Sequence, residues 1–222
     1  SGPLVGYVGR LARQKGVLDL IAAAQLLAGD GGREFALVLI GEGPLRGELA
    51  KIARGNDGGP PLCIVGHIRH NQIPEYIAAL DVLVLPSRTT PQWKEQFGRV
   101  IIEALACGVP VIGSDSGHIP YLIEDTGGGL IFPEGDIGRL AECIQQLLSD
   151  PMEARELGRR GRERVLEKYT WEQTARQLRE VFLQVSLARC GSRRSGPAAR
   201  HLHALTGDQR PRPGHYRQED QL

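Results

Sequence analysis

Six short apolar runs punctuate the chain, "PLVGYV", "FALVLI", "PLCIV", "DVLVLP", "VPVIG" and "GLIF", with amphipathic stretches between them. Apolar runs alternating with helical periodicity predict parallel strands joined by crossover helices. The run Phe35 to Ile40 is apolar on both of its alternating faces, which suits a sheet covered by helices on both sides. The pattern therefore predicts an α/β fold built on an open, doubly wound, Rossmann-like parallel sheet.

Helix punctuation supports the reading. Asp150 followed by Pro151 has the form of an N-cap and first helical residue, and Thr170 with Gln173 has that of a capping box. Three helices are expected after the last strand, over about 137–149, 151–168 and 171–185. Beyond them "CGSRRSGPAARHLHALTGDQRPRPGHYRQEDQL" is rich in Arg, Gly and Pro and poor in large apolar residues. Such a segment cannot bury enough surface to offset its ordering entropy. The expected organisation is one domain over 1–185 and a disordered basic tail over 186–222.

Composition changes this picture little. With 41% hydrophobic and 24% charged residues and a net charge of +1, the chain has no overall electrostatic case for a nucleic-acid partner. The tail, with seven arginines and three acids, carries +4 and leaves −3 for the rest. Cys63, Cys107, Cys143 and Cys190 lie far apart, with no C-x-x-C pair, and read as buried reduced thiols. The chain shows no signal peptide and no apolar run near the roughly 20 residues of a membrane span, so a cytoplasmic location is expected.

The candidate chemistry gathers at loops that follow strands. In "WKEQFGRVIIEALACGVPVIGSDSG" a helix is expected from Phe97 and Gly98 to about Cys107, with Gly108 closing it. Glu95 then lies in the loop before the helix and Glu103 roughly two turns inside it. The helix N-terminus between them suits a phosphate, and a carboxylate on either side could accept hydrogen bonds from hydroxyl pairs. A solvated Glu95 and a water-facing Glu103 fit the spacing equally. Arg10 and Lys15 in "GRLARQKG" are two cations that can hold a diphosphate and stabilise it as a leaving group. The turn "IGEGP" supplies Gly41 and Gly43 for close backbone approach, but neither G-x-G-x-x-G nor the G-x-x-x-x-G-K-[ST] loop is present. His67 and His70 in "GHIRH" lack further ligands at metal spacing.

Taken together, "VGRLARQKG", "LIGEGP", "VGHI", "ALDVLVLPS" and "EQFGRVIIEALACGVPVIGSDSGHIPYLI" closely resemble the nucleotide-sugar-binding C-terminal domain of family 4 glycosyltransferases, the GT-B class with an E-x7-E motif. The resemblance covers about residues 4–184. It implies one half of a GT-B glycosyltransferase, a retaining hexosyltransferase. By that resemblance Glu95 meets donor-sugar hydroxyls, Glu103 holds the ribose, Arg10 and Lys15 bind the diphosphate, and Phe97 and Gly98 offer backbone donors. The loop from Val65 to His67 stands where the family holds the base. Catalysis is expected from Arg10, Lys15 and Glu95, and donor binding from Gly41, Gly43, Val65, His67, Phe97, Gly98 and Glu103. In the implied mechanism the acceptor hydroxyl attacks on the leaving group's face and the departing phosphate takes its proton. No carboxylate nucleophile is needed, and with no D-x-D in the chain no metal or other cofactor is expected.

Family members carry an acceptor-binding domain ahead of this one, whereas this chain opens at "SGPLVGYVGRL", where an interdomain linker would be ending. A glycan or lipid-linked acceptor, and peripheral membrane association, would then belong to that other domain. Two further readings stay open. A glycosidase could use Glu95 and Glu103 as its two carboxylates, although a neutral glycoside needs neither Arg10 nor Lys15. A noncatalytic sugar-nucleotide-binding or interaction module would use the same residues without turnover.

Overall fold

The structure is a computed structural model that describes residues 2–29, 34–55 and 59–191, and the side chains among these up to residue 186. The chain divides into two compact units, Ser1–Thr174 and Ala175–Leu222. The first carries six parallel strands, β1 (Leu4–Val8), β2 (Ala36–Ile40), β3 (Leu62–Val65), β4 (Val82–Leu85), β5 (Val111–Ser114) and β6 (Gly129–Phe132). All six expected strands form.

Their spatial order is β3-β2-β1-β4-β5-β6. β4 and β5, unlike the edge strands β3 and β6, are buried along their whole length, as expected of central strands covered by helices on both faces. Crossovers are supplied by α1 (Val17–Gly29), α2 (Arg46–Arg54), α3 (Ile73–Ala78), α4 (Arg99–Ala106) and α5 (Ile119–Thr126). α6 (Ile137–Ser149) returns to pack on α1, and α7 (Pro151–Lys168) packs on α4 and α5. Strand order reverses between β1 and β4, so the loops after these two strands diverge and leave a crevice at their carboxyl ends.

The expected cap at Asp150 forms, and of the capping box at Thr170 the hydroxyl half forms. The Asp150 carboxylate accepts from the backbone N–H groups of Met152 and Glu153, which otherwise lack helical partners. The Thr170 hydroxyl accepts from the Gln173 N–H and opens α8 (Trp171–Gly191). This helix runs past the expected end at 185, so the boundary between 185 and 186 is not a helix end. The first compact unit itself closes at Thr174. Within α8, Leu178, Val181, Phe182, Leu183 and Val185 are all exposed. The expected disorder of 192–222 lies outside the described residues. The thiols also differ from expectation. Only Cys143 is buried, Cys107 is half-buried and Cys63 is exposed on edge strand β3; all three are free. The side chain of Cys190 lies outside the described residues.

Candidate donor site at the strand crevice

The loop after β1 begins at Gly9 and carries Arg10. A three-residue 3-10 turn, Arg13–Lys15, ends on Gly16 in the left-handed conformation at φ 66°. That glycine is required on two counts. A side chain would be strained at this φ, and a Cβ would stand 1.7 Å from the Pro86 carbonyl oxygen. The Lys15–Gly16 backbone is thereby pressed against the end of β4. From beneath, the buried Tyr7 hydroxyl donates to the Arg10 carbonyl at 2.8 Å. Burial, and then the nearby Glu95 charge, push the Tyr7 phenol well above its ordinary pKa, so it stays a donor.

The loop after β4 is fixed just as firmly. Arg88 ties it to α1 through a two-point ion pair with Asp19, and to the 3-10 turn through its backbone N–H, which donates to the Gln14 carbonyl at 2.8 Å. Glu95 is 9% exposed, which overturns the solvated reading. Its backbone carbonyl accepts from the His118 N–H at 3.1 Å. Gly117, at φ 61°, lies so close that a Cβ would be 1.9 Å from that same oxygen. Two loops that are 80 residues apart in the chain meet here: Lys15 Nζ donates to Glu95 Oε2 at 2.6 Å. The Ser87 hydroxyl donates to the same oxygen at 3.0 Å, and Ser87 is itself held by Ser114 Oγ donating to its carbonyl at 2.6 Å. The Lys15 ammonium also stands 4.6 Å from the centre of the Trp93 ring, a favourable cation–π separation.

Gly98 caps α4 at φ 77°, and Glu103 sits in the second turn of that helix, half-buried. A cavity of about 450 Å³ at the carboxyl ends of β1 and β4 is lined by Arg10, Lys15, Glu95, Phe97, Gly98 and Glu103 together with Tyr7, His70 and Arg99. Beside it, sharing Arg10 and His70, lies a depression of about 370 Å³ lined by Gly41, Glu42, His67, Ile68 and Ile73. Eight of the ten predicted residues thus line one or the other. Gly43 and Val65 line neither. Gly43 is packed under the next loop, where a Cβ would meet the Leu11 carbonyl oxygen at 2.3 Å. The Val65 carbonyl accepts from the Gly41 N–H at 3.0 Å. Both contacts shape the loops around the crevice.

Several contributors escaped the sequence reading. Ser87 and Trp93 reach the site only through contacts across loops. Arg99 carried a signal, being a cation at the first helical residue after Gly98, beside a helix end that favours anions. Beyond Glu95, a further depression of about 470 Å³ is lined by Gln92, Trp93, Lys94, Glu95, Gln96, Gly117 and His118. Among the described residues no group of three His, Cys, Asp or Glu side chains is placed to hold a metal ion, and no helix is long and apolar enough to cross a membrane.

Three cations, Arg10, Lys15 and Arg99, with a helix N-terminus and two carboxylates around one crevice, suit an anionic, polyhydroxylated ligand. Residues 1–164 match the model of the family Glycosyl transferases group 1. The chain is 35% identical over 198 residues to the alpha-maltose-1-phosphate synthase of Mycolicibacterium smegmatis, an alignment covering 83% of this chain and 48% of that protein. Among solved structures, sucrose-phosphate synthase from Thermosynechococcus elongatus superposes with a TM-score of 0.71 at 35% identity, over 85% of this chain and 46% of that one. Anabaena HepE in complex with UDP gives 0.69 at 26% identity, over 82% and 49%. The C-terminal domain of the group 1 glycosyl transferase LpcC from Francisella tularensis gives 0.66 at 27% identity, over 76% of this chain and 87% of that one. The chain spans about half the length of the curated relative, and its Rossmann-like sheet is that of GT-B glycosyltransferases. The chain belongs to the glycosyl transferases group 1 family.

Proposed function

We propose that this chain is the donor-binding, C-terminal half of a retaining glycosyltransferase that moves a hexosyl group from a nucleotide-diphosphate sugar to an acceptor hydroxyl. The observation that carries the reading is the convergence of Arg10, Lys15, Gly98, Glu95 and Glu103 on one cavity at the switch point of the sheet. The diphosphate lies against Arg10, Lys15 and the N-terminus of α4, where charge-assisted bonds and the helix dipole both favour an anion. The base extends into the depression of Gly41 and His67, the ribose hydroxyls meet Glu103, and the sugar hydroxyls meet Glu95. That a relative in structure holds UDP supports a nucleoside diphosphate as ligand.

In the reaction the bond from the anomeric carbon to the phosphate oxygen breaks. The acceptor oxygen bonds to that carbon from the same face and gives its proton to the departing phosphate. Negative charge grows on the diphosphate as the bond breaks, so Arg10 and Lys15 stabilise the transition state more than the ground state. No metal is assigned a part. The acceptor, a glycan or lipid-linked hydroxyl, is read by a second domain. Calorimetric titration with UDP tests the site. Arg10→Ala and Lys15→Ala should each weaken binding by about 1.5–3 kcal/mol, the range for hydrogen bonds to charged groups. Unchanged affinity in both variants refutes the assignment.

A further inference from the structure

We infer that Glu95 and the donor diphosphate compete for the Lys15 ammonium, so that Glu95 acts as an internal counter-ion which the donor displaces and which helps expel the spent diphosphate. This rests on the reading that Arg10 and Lys15 take the diphosphate.

The two cations assigned to the diphosphate are in different states. Arg10 is exposed and, among the described residues, its guanidinium has no hydrogen-bond or ion-pair partner. Lys15 is already engaged, paired with Glu95 at 2.6 Å with side chains only 22% and 11% exposed. Both Lys15 and Ser87 address Oε2, and among the described residues no donor reaches Oε1. A diphosphate offers Lys15 several acceptor oxygens and more than one negative charge against the single carboxylate, so the ammonium moves to it. The backbone of Lys15 is pinned by Gly16 against Pro86, so the exchange moves the side chain alone, off the Trp93 ring.

The exchange has a second consequence. Once Lys15 leaves, Glu95 keeps only the Ser87 hydroxyl and, largely buried, would be short of hydrogen bonds. Glu95 lines both the 450 Å³ cavity and the 470 Å³ depression beyond it, where the hydroxyls of a bound sugar can supply those bonds. An intact sugar nucleotide therefore satisfies both members of the separated pair. After transfer the bare diphosphate satisfies only Lys15, and Glu95 draws the ammonium back. Arg10 has no such competitor and keeps its affinity for both ligands.

The sign of one substitution tests this. Glu95→Gln keeps the size of the side chain and its hydrogen bond to Ser87 while removing the competing charge. Calorimetry on the full chain should find UDP and inorganic pyrophosphate bound about three- to tenfold more tightly by this variant, the scale of a partly buried ion pair. In a Lys15→Met background the same change should give no gain. If Lys15→Met leaves UDP affinity unaltered, the placement of the diphosphate fails. If Lys15→Met weakens UDP while Glu95→Gln is neutral or weakens it as well, the placement stands and the exchange is refuted. A second measurement needs no change at Glu95. The chain holds two tryptophans, so Trp171→Phe, removing the one that is 86% exposed, leaves Trp93 as sole reporter. Saturating pyrophosphate, which has neither base nor sugar to touch the ring, should alter its emission as the ammonium departs. An unchanged spectrum at saturation overturns the exchange.

Discussion

Glu95 and Asp125 each meet a lysine and a hydroxyl group, yet they are built for opposite ends. Asp125, on α5, takes Lys168 Nζ at 2.8 Å and Arg164 at 3.2 Å on one oxygen and the Tyr169 hydroxyl at 2.7 Å on the other. Its lining is complete, and hydrogen bonds from Lys168 and Tyr169 hold its carboxyl at about 2. Burial, and then the bond to Asp125, raise the Tyr169 phenol to about 12. Asp125 lines neither the donor cavity nor its neighbours. Glu95 has both partners on a single oxygen and borders two depressions. Saturation fastens the α5–α7 corner; an oxygen without a donor among the described residues leaves Glu95 room for a further partner.

Glycine substitutions near the two carboxylates should show the largest contrast. Gly117→Ala puts a methyl group 1.9 Å from the Glu95 carbonyl oxygen at φ 61°, whereas Gly127→Ala, at φ 60° beside Asp125, meets nothing within 4 Å. Left-handed strain alone should cost Gly127→Ala about 1 kcal/mol, while Gly117→Ala should cost about 2–4 kcal/mol once the clash is added. Thermal melts of both variants decide this, and equal losses would mean that the Glu95 loop yields. Next in size is Asp125→Ala, expected to cost about 1–2 kcal/mol for the partners it strands, or roughly 2–8 °C in Tm for a chain of this length. Its UDP affinity should be unchanged. Glu95→Gln should do the reverse, moving affinity while barely moving Tm. Smallest is the acid response. Because the Asp125 pKa is lowered from 3.8 to about 2 in the folded chain, its stabilisation is present above about 3.8 and is lost as pH falls through about 2. Asp125→Asn should flatten the stability curve in that window, and an unchanged slope there would show that the lowered pKa does not contribute.

Much of the fold was legible because local signals agree. The six apolar runs, Asp150 before Pro151 and Thr170 before Trp171 all settle elements from neighbours in the chain. The same holds for Gly98 and Gly108, which bracket α4 with positive φ. Site residues were legible where a strand end fixes the loop, as for Arg10 and Lys15. What the sequence concealed lies between loops distant in the chain. Nothing near Lys15 announces that Glu95 neutralises it, or that Trp93 covers it. The packing of Gly43 was hidden for the same reason: nothing beside it in the chain announces the Leu11 carbonyl against it. The end of α8 was missed because "SLARC" still carries good helix formers.

The seam between β1 and β4 bears on how the molecule comes together in time. Their register pairs Val5 with Val82 and Gly6 with Leu83, whereas β1 lies along β2 from Leu4 to Val8. At the amino end the seam is fastened by the Asp81 carboxylate, which accepts from the Leu4 N–H at 2.7 Å across 77 positions of chain. So short a pairing, joining segments so far apart, is slow to form because the loop must close before its contacts reward it. The strands on either side can pair through nearer neighbours first. Arg10 and Lys15 ride on one side of this seam and Glu95 on the other, so the site is expected to be the last part of the molecule to mature. In stopped-flow refolding, the far-ultraviolet circular dichroism of the helices should recover ahead of the capacity to bind UDP. Simultaneous recovery would place the seam in the folding nucleus instead.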